Sequence, residues 1–487
     1  MAILVILAVY FLNQFTDVFS TLERRYYDFA STTTSRQPSD RIAIIAIDDR
    51  SVENIGRWPW PRDVQAQMTD LLAVAKAKVI VNTTLFFEPQ ADRGLAYIQK
   101  IKAVLNDPAL EPSPANAQLS NLIEDAELAL NTDSKLAASF AKAANVLIPS
   151  VFVLAQPQGK PDKPLPGFAL KSAVRFSDSV DFSVAALRGQ QPIALLGNSV
   201  SGVGHINQLP DVDGAVRVEP LIVNFFGTAI PSMSLLAAAK SLNLEASDIK
   251  LNSGESVQLG KLVIRTGLEA EMLPQFYKGK NSLPAFVVDS FHDVLTGKVP
   301  ASKYADKIVI IGATAAGVGT QFSTPAGPGM FPAETIAHIT SSILSEHFIV
   351  RPVWGDAATF VVWLVVAAYL VAGLPRLSAG MAALVTLAMF VALLAAEFGL
   401  LSVGAKWLEL VFPAAVLLIG YLAITTKRFL MTEAGKLKSD DESAETNRMM
   451  GLALQGQGQL DMAFDRFRRV PFTDALMDNL NSLALDF

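Results

Sequence analysis

The stretch RIAIIAIDDRSVENIGRWPWPRD, residues 41–63, joins a short apolar run to acids, arginines, tryptophans and prolines. Its Ile-rich first seven residues lack the alternation of a half-exposed strand, which is typical of a strand buried on both faces of a parallel sheet. The segment 62–76 places its apolar residues on one helical face, and Pro61 lies at its start, where a missing N–H costs nothing. Residues 78–81 (KVIV) are again strand-like, so the sequence predicts a strand–helix–strand unit with a right-handed crossover.

The alternation of strands and helices continues along the chain. Helices are predicted over 134–144 and 333–346, and strands over 146–154 and 307–311. Residues 89–132 interrupt this pattern and indicate an insertion, with one helix, a Pro- and Asn-rich loop and a second, short helix. The fold class expected is an α/β domain with a largely parallel sheet, combined with transmembrane α-helices and a short helical repeat-like tail.

Apolar residues make up 51% of the 487 residues and charged residues only 18%, and the excess is local. Residues 2–19 form an apolar stretch that is interrupted by Asn13 and Asp17. No basic residue precedes them and no cleavage signal follows, which favours an uncleaved anchor, or the end of a longer one, over a signal peptide. Three later runs are each long enough to cross an apolar layer of about 30 Å: Ala357–Leu374, Ala379–Ala396 and Leu408–Thr425.

Basic residues predict the orientation of these spans. Lys427 and Arg428 close the last run, and Lys436 and Lys438 follow it, so this end is expected to be cytoplasmic. Counting back through the spans places residues of about 20–350 outside the cytoplasm, although Arg351 lies on the side that the rule disfavours.

Composition and motifs argue against several classes of function. The net charge of −6 disfavours a nucleic-acid partner, and the lack of cysteine excludes disulfides and thiolate chemistry. The four histidines are dispersed, without the spacing of a catalytic zinc site, and no hydrolase or kinase motif is present. We therefore expect no enzymatic activity, no metal and no cofactor in this chain.

Several short motifs together resemble the type-2 CHASE domain, a sensory module found outside the cytoplasm in cyclases and histidine kinases. The most specific is IGRWPWPR (55–62), and the others are ERRYYD (23–28), IDDRS (47–51), GHIN (204–207), PDVDGAVR (210–217), PSMSL (231–235) and KIVIIGATA (307–315). The resemblance implies a sensor followed by three spans. Similar domains usually carry an Asp where this chain has Thr83, and a Gly-Val pair near Pro332, so the resemblance does not extend to ligand chemistry that needs that Asp.

Asp48 and Asp49 lie at the carboxyl end of the first predicted strand, where open α/β sheets tend to bind ligands. They are candidate ligand-binding residues, although an Asp before Ser51 is also a common helix cap. Arg57 and Arg62 could bind an anionic group or pair with these two acids. Further candidates in the same motif are Trp58 and Trp60, which either stack on a ligand or pack a rigid turn.

The later motifs add four candidates: His205, Asp211, Asp213 and Arg217. The DVDG segment at 211–214 lacks the third carboxylate and the Glu of a calcium loop and matches a turn between strands. His205 is either a ligand or a satisfied polar residue near a sheet edge. The segment 312–319 follows a strand as a phosphate loop would but lacks the required Lys, so a tight turn is favoured over an anion site.

The tail after the last span contains a polar stretch, 432–447, expected to be a linker or an exposed helix. Residues 450–467 then match the spacing of a tetratricopeptide repeat, or of another amphipathic helical hairpin. Leu480 to Phe487 are expected to begin a next repeat and to leave Leu483, Leu485 and Phe487 uncovered. A longer protein or an oligomeric contact is therefore expected to complete the array.

The leading hypothesis is a membrane-bound signal-transduction receptor, whose output is a kinase or cyclase outside this chain. The alternatives are an envelope scaffold and an extracytoplasmic enzyme that uses Asp48 and Asp49. The expected partners are the lipid bilayer, an unknown extracytoplasmic small molecule or protein, a cytoplasmic protein that binds the tail, and, since helices carry the signal, a second copy of the chain. The expected domains are an anchor (1–19), a sensor (20–352), three spans (353–426), a linker (427–447) and a repeat-like segment (448–487).

Overall fold

A computed structural model describes residues 2–90, 93–107, 113–176, 183–279 and 284–487. The chain divides into two compact units. The α/β unit comprises Thr21–Ala357 and Ala395–Glu409, and the helical unit comprises Met1–Ser20, Ala358–Leu394 and Leu410–Phe487.

The strands of the described residues are β1 (Ile42–Ile47), β2 (Val79–Asn82), β3 (Val146–Leu154), β4 (Arg175–Phe176), β5 (Val184–Gln190), β6 (Gly202–His205), β7 (Leu209–Pro210), β8 (Val216–Pro220), β9 (Ile222–Phe225), β10 (Thr228–Pro231), β11 (Ile249–Asn252), β12 (Ser256–Leu259), β13 (Leu262–Arg265), β14 (Glu271–Met272), β15 (Val287–Ser290), β16 (Ile308–Ala313), β17 (Phe322–Thr324) and β18 (Gly327–Met330).

The α-helices are α1 (Ala2–Phe15), α2 (Val18–Thr32), α3 (Asp49–Ile55), α4 (Arg62–Val74), α5 (Arg93–Leu105), α6 (Pro114–Leu130), α7 (Thr132–Ala143), α8 (Gly167–Lys171), α9 (Ala194–Gly197), α10 (Met233–Ser241), α11 (Phe291–Leu295), α12 (Pro332–Leu344), α13 (Gly355–Ala368), α14 (Ala379–Ser402), α15 (Val411–Gly456), α16 (Leu460–Phe467) and α17 (Asp474–Asp486).

The main sheet of the α/β unit has the order β10-β9-β5-β3-β2-β16-β1-β15, with β6 also paired to β3. Strands β15, β1, β16, β2, β3 and β6 are mutually parallel, whereas β5 joins the second half of β3 antiparallel. The fold class predicted from the sequence is confirmed: the sheet is largely parallel, with helices packed against it.

The first strand is buried on both faces, as its unbroken apolar run predicts. Ile42 and Ile44 belong to one hydrophobic core, which includes residues of α10 and α12. Ala43, Ile45 and Ile47 belong to a second core, which includes residues of α4, α7 and α11. Because β1 lies between β15 and β16, its carboxyl end is surrounded by neighbouring strand ends.

The sequence expectation for the second helix of the insertion is wrong. The second helix of the insertion, expected to be short, is α6, which has 17 residues and begins with Ser113 as its cap. The apolar run 2–19 does not form one helix: α1 ends at Phe15, α2 begins at Val18, and the pair is bent by 78°. The break falls at Asp17, the charged residue that interrupts this run.

Among the described residues, three helical segments are long and apolar enough to cross a membrane: Gly355–Arg376, Ala379–Ser402 and Val411–Gly456. The bent pair of α1 and α2 would make a fourth if counted as one span. The first segment contains a π-helical turn, Tyr369–Gly373, and ends in a 3₁₀ turn before Leu377.

The third apolar segment continues without a break into the tail. Helix α15 has 46 residues, and its part over 432–447 is the exposed helix that the sequence allowed as one alternative. Ion pairs at helical spacing, such as Lys438–Glu442, lie along it. At about 1.5 Å per residue it is about 69 Å long.

The tail folds back on the end of α15 through α16 and α17. Gly451 lies so close to the Phe467 ring that an added Cβ would be 2.6 Å from it, as expected where two helices approach closely. The expectation that Leu483 is uncovered is wrong: α17 begins at Asp474, after its cap Thr473, and buries Leu483 in the tail's own small core. Leu485 and Phe487 are exposed.

Candidate functional site

Asp48 links three elements at the carboxyl end of the sheet. It caps α3, accepting hydrogen bonds from the Ser51 backbone N–H (2.9 Å) and from the Ser51 hydroxyl. It also accepts one from the Ser290 hydroxyl (2.9 Å), at the end of the neighbouring strand β15. Since Asp48 is only partly exposed, these bonds favour its role as a helix cap.

Asp49 lies beside Asp48 but is exposed and contacts the turn that follows β16. Its Oδ1 accepts a hydrogen bond from the backbone N–H of Ala316 (2.8 Å), and two further N–H groups of this turn donate to the Ile47 carbonyl. Thr83, which stands where similar domains usually carry Asp, donates its hydroxyl to the Ile311 carbonyl (3.0 Å). The acids and Thr83 therefore hold the ends of β1, β2 and β16.

The arginines of this motif do not pair with Asp48 or Asp49. Arg62 forms an ion pair with Asp133 (2.9 Å), donates to the Glu88 carbonyl, and lies 4.6 Å from the centre of the Phe86 ring. It thus ties the start of α4 to the start of α7. Arg57 is exposed.

The two tryptophans pack against each other, with ring centres 5.1 Å apart and planes at 77°. Trp60 is buried, donates its indole N–H to the Gly56 carbonyl (2.7 Å), and contacts Phe291 of α11. Trp58, partly buried, precedes a cis peptide bond to Pro59. These contacts favour packing of a rigid turn over stacking on a ligand.

The PDVDGAVR motif forms a tight hairpin between β7 and β8. Gly214 has a φ of +78°, in the left-handed region that glycine tolerates best, and the turn brings Asp211 and Asp213 next to Arg217. The carboxylate pattern that suggested a calcium loop is therefore used to bind a guanidinium.

Arg217 is the centre of a buried ion network. Its side chain is 3% exposed and makes five hydrogen bonds of 2.7–3.2 Å to three carboxylates. The bonds to Asp28 and to Asp213 are bidentate, and the fifth reaches Asp211. Asp211 in turn pairs with Arg24. Two arginines and three aspartates thus join helix α2 to the β7–β8 hairpin.

Sequence reasoning missed Arg24 and Asp28 as site residues, although both lie in the ERRYYD motif. The signal available was their spacing: four residues apart on α2, they lie on one helical face. Which residues meet this face could not be read from the sequence, because Asp211 and Arg217 are almost 190 residues away.

The network keeps its charges. Burial alone would lower the pKa of Arg217, but hydrogen bonds to Asp213 and Asp28 outweigh it and raise the pKa above its usual value. The hydrogen bond from Arg217 lowers the pKa of Asp213 to about 2, against the opposite effect of burial. Both groups are therefore ionised across the physiological range.

Helix α2 also contacts the segment that follows α14. Glu23 accepts a hydrogen bond from the Trp407 indole N–H (3.2 Å), and the Tyr27 ring lies 4.5 Å from the Trp407 ring. The guanidinium of Arg351 covers the same ring at 4.0 Å. Trp407 is thus held by α2 and by the residues just before α13.

A second buried polar group lies between the GHIN and PSMSL motifs. His205 is fully buried, and burial lowers its pKa to about 3, so the imidazole is neutral. Burial also raises the pKa of Glu219 to about 8, while the hydroxyls of Ser232 and Ser234 act in the opposite direction. His205 pairs with Ser232 in the sheet, which brings the two motifs together.

The ten candidate residues therefore fall into separate places. Asp211, Asp213 and Arg217 meet in one network, and Asp48 and Asp49 lie at the strand ends. Trp58 and Trp60 pack against each other, Arg62 pairs with Asp133, His205 is buried, and Arg57 is exposed. Within the described ranges, no group of three or more His, Asp or Glu side chains is placed to hold a metal ion.

Comparison with known families gives the origin of these motifs. The CHASE2 domain matches residues 1–373, more than three quarters of the chain. The chain belongs to the CHASE2 domain family. CHASE2 domains are extracytoplasmic sensors. The motifs that contain Asp48 and Arg217 both lie within the matched residues. No curated protein and no solved structure matches the chain.

Proposed function

We propose that this protein is a membrane-bound signal-transduction receptor. Its CHASE2 domain perceives a stimulus outside the cytoplasm, and its apolar helices pass the change to a cytoplasmic output. The observation that carries this proposal is Arg217, which binds Asp213 of the hairpin and Asp28 of helix α2 at the same time. Helix α2 follows the apolar helix α1 along the chain after a break of two residues.

Such a network suits transmission because ion pairs depend steeply on geometry. If a ligand displaces the hairpin, either α2 moves with it or the bidentate bonds of Arg217 break and leave buried charge unpaired, at a cost of several kcal/mol. A ligand shifts the receptor only as far as it binds the two arrangements with different affinity. The network is therefore the element whose two states a stimulus would bias.

We further propose that the carboxyl end of the last span is cytoplasmic and that the tail binds a partner protein there. The basic residues Lys427, Arg428, Lys436 and Lys438 support this orientation. Since α15 is continuous, rotation or displacement of the span would reach the tail without a flexible joint. The exposed Leu485 and Phe487 offer an apolar surface to a partner or to a second copy.

A reporter fusion tests the proposal. A kinase reporter joined after Arg428 keeps the apolar part of α15, and Asp28→Asn removes a charge from the network while keeping the size of the side chain. We expect Asp28→Asn to change reporter output. The matched control is Asp162→Asn, because Asp162 belongs to an exposed ion pair with Arg188.

The comparison is informative only for folded protein, so each variant is first checked for expression and melting temperature. A folded Asp28→Asn protein whose reporter output equals that of the parent would refute transmission through this network. Partner capture by the tail is measured separately, in the full chain carrying the same substitution. If Asp28→Asn changed that capture while reporter output stayed the same, the envelope scaffold would be the better description.

A further inference from the structure

A cavity of about 450 Å³ lies beside the end of helix α14 in the α/β unit. It is lined by Thr33, Thr34, Ser35, Arg36, Ser402 and Val403. The first four follow directly on helix α2, and Ser402 is the last residue of α14. Five of these six side chains carry a polar group, and one of the five, Arg36, is a cation.

Within the part of the chain that the structure describes, the side chain of Arg36 is bound by neutral acceptors. Its guanidinium donates to the Gln275 side-chain carbonyl (3.2 Å) and to the Val403 backbone carbonyl (3.2 Å). Among the described residues no carboxylate pairs with it, in contrast to Arg24, Arg62 and Arg217, each of which has an acid. Two of the five guanidinium N–H donors are used by these bonds.

The hydroxyls of the cavity leave Arg36 as the main binding group. Thr33 donates to the Phe29 carbonyl, Thr34 to the Ser402 carbonyl, and Ser402 to the Phe398 carbonyl. Their protons are committed to the backbone. A ligand in the cavity would therefore be held chiefly by the guanidinium, with the exposed Ser35 beside it.

The charge of Arg36 affects the pKa of the nearby His347. Burial lowers the pKa of His347, and the Arg36 charge lowers it further. The His347 ring is hydrogen-bonded to the Tyr277 hydroxyl (3.1 Å), so it is fixed near this cation. A partly buried guanidinium that is paired with neutral carbonyls loses more hydration free energy than these carbonyls replace. An anion bound in the cavity would compensate for this loss by pairing with the guanidinium charge.

The position of the cavity suggests what kind of anion reaches it. Helix α14 is a 24-residue apolar helix of the length that crosses a bilayer, and its last residue lines the cavity. The end of such a helix lies at the level of the lipid headgroups, where the phosphates are. Arginine is the side chain best suited to bind phosphate, because its planar fork matches the phosphate oxygens.

We propose that the cavity around Arg36 is a binding site for a phosphate group. Two sources carry this chemistry: the headgroup of an anionic phospholipid, and a soluble phosphate outside the membrane. The site is separate from the Arg217 network and does not depend on the signalling role proposed above.

The full chain is tested with two probes. In detergent, inorganic phosphate is titrated while the melting temperature is followed by tryptophan fluorescence. In bilayer discs, phosphatidylcholine alone is compared with phosphatidylcholine plus phosphatidylglycerol, and native mass spectrometry counts the phospholipids that stay bound. The variants are Arg36→Gln and, as a matched control, Arg265→Gln, which changes an exposed arginine of β13.

We expect Arg36→Gln to weaken binding of the phosphate group by roughly tenfold or more, as loss of a charged hydrogen-bond donor does. Arg265→Gln should bind like the parent. If the source is the lipid, the parent retains phosphatidylglycerol that Arg36→Gln loses, and inorganic phosphate has little effect. If the source is soluble, inorganic phosphate raises the melting temperature of the parent but not that of Arg36→Gln.

A second variant keeps the test decisive if Arg36→Gln fails to fold. Ser35→Asp places a carboxylate next to Arg36 without removing its bonds to Gln275 and Val403, and Ser35→Asn is its neutral control. Ser35→Asp should lose the response to both probes, and Ser35→Asn should keep it. The proposal is overturned if the parent responds to neither probe, or if Ser35→Asp binds both as the parent does.

Discussion

Replacing Arg217 with alanine should destabilise the α/β unit more than any change of a surface ion pair. Arg217 is 3% exposed, and its three partners Asp28, Asp211 and Asp213 are about one quarter exposed. Removing one partner of a buried ion network costs about 3–5 kcal/mol, because the remaining charges stay buried and unpaired. Since these carboxylates keep some contact with water, we take the lower limit, about 3 kcal/mol.

The expected loss can be measured as a change in melting temperature. A unit of this size shifts by about 2 °C per kcal/mol, so Arg217→Ala should melt about 6 °C below the parent. Arg188→Ala is the matched control, because its ion pair with Asp162 is about 70% exposed on both sides. An exposed pair contributes about 0.2–1 kcal/mol, so the control should shift by about 2 °C or less.

A double variant tests the physical reason. If unpaired carboxylates are the cost, then Arg217→Ala combined with Asp213→Asn should melt above Arg217→Ala alone, although it lacks one more native contact. If Arg217→Ala melts no lower than Arg188→Ala, or if the double variant melts below the single one, the account of the network is wrong.

Three further predictions concern other parts of the chain. Asp48→Ala should lower stability by about 1–2 kcal/mol, because α3 loses its cap and β15 loses a hydrogen bond, and chemical denaturation will measure this. Gly451→Ala should loosen the tail, because the new Cβ would lie 2.6 Å from the Phe467 ring, and hydrogen exchange over α16 will increase. The parent should lose stability as the pH rises from about 4.5 to about 8, and Glu219→Gln should lose less. The measurement is the melting temperature of both proteins across this pH range.

The sign of the Glu219 prediction follows from its raised pKa. The folded state holds the proton up to about pH 8, whereas the unfolded state releases it near pH 4.5, so the folded state loses stability as pH rises through this window. The control Glu255→Gln changes an exposed carboxylate and should leave the pH dependence as in the parent. An unchanged slope in Glu219→Gln would contradict the assignment.

Acid should weaken the Arg217 network in the opposite sense. Because the pKa of Asp213 is lowered from 3.8 to about 2, its contribution to stability is complete above pH 4 and is lost as pH falls toward 2. Asp213→Asn should therefore melt below the parent at neutral pH and approach it at the acid end.

The control for the Gly451→Ala prediction is Gly435→Ala, which has open space at its Cβ and should not increase hydrogen exchange over α16.

Elements that depend on local residue pattern could be predicted from the amino-acid order alone. The unbroken apolar run of β1 requires burial on both faces, and β1 indeed contributes to the cores on both sides of the sheet. The three long apolar helices and the close helix approach at Gly451 could likewise be predicted, because they depend on the size and polarity of side chains that are near one another in the sequence.

Which charged groups meet depends on the folded chain. Asp48, Asp49 and Arg62 are close along the chain, and the sequence therefore suggested that they pair with one another. In the fold, Arg62 forms an ion pair with Asp133, and the Asp48 carboxylate accepts hydrogen bonds from two serines. Asp28 and Arg217 meet although 189 residues separate them. Pairing of this kind depends on how distant segments pack, and neither periodicity nor local spacing contains that information. For the same reason the sequence could not show that Arg36, among the described residues, is bound by the neutral groups of Gln275 and Val403 and by no carboxylate.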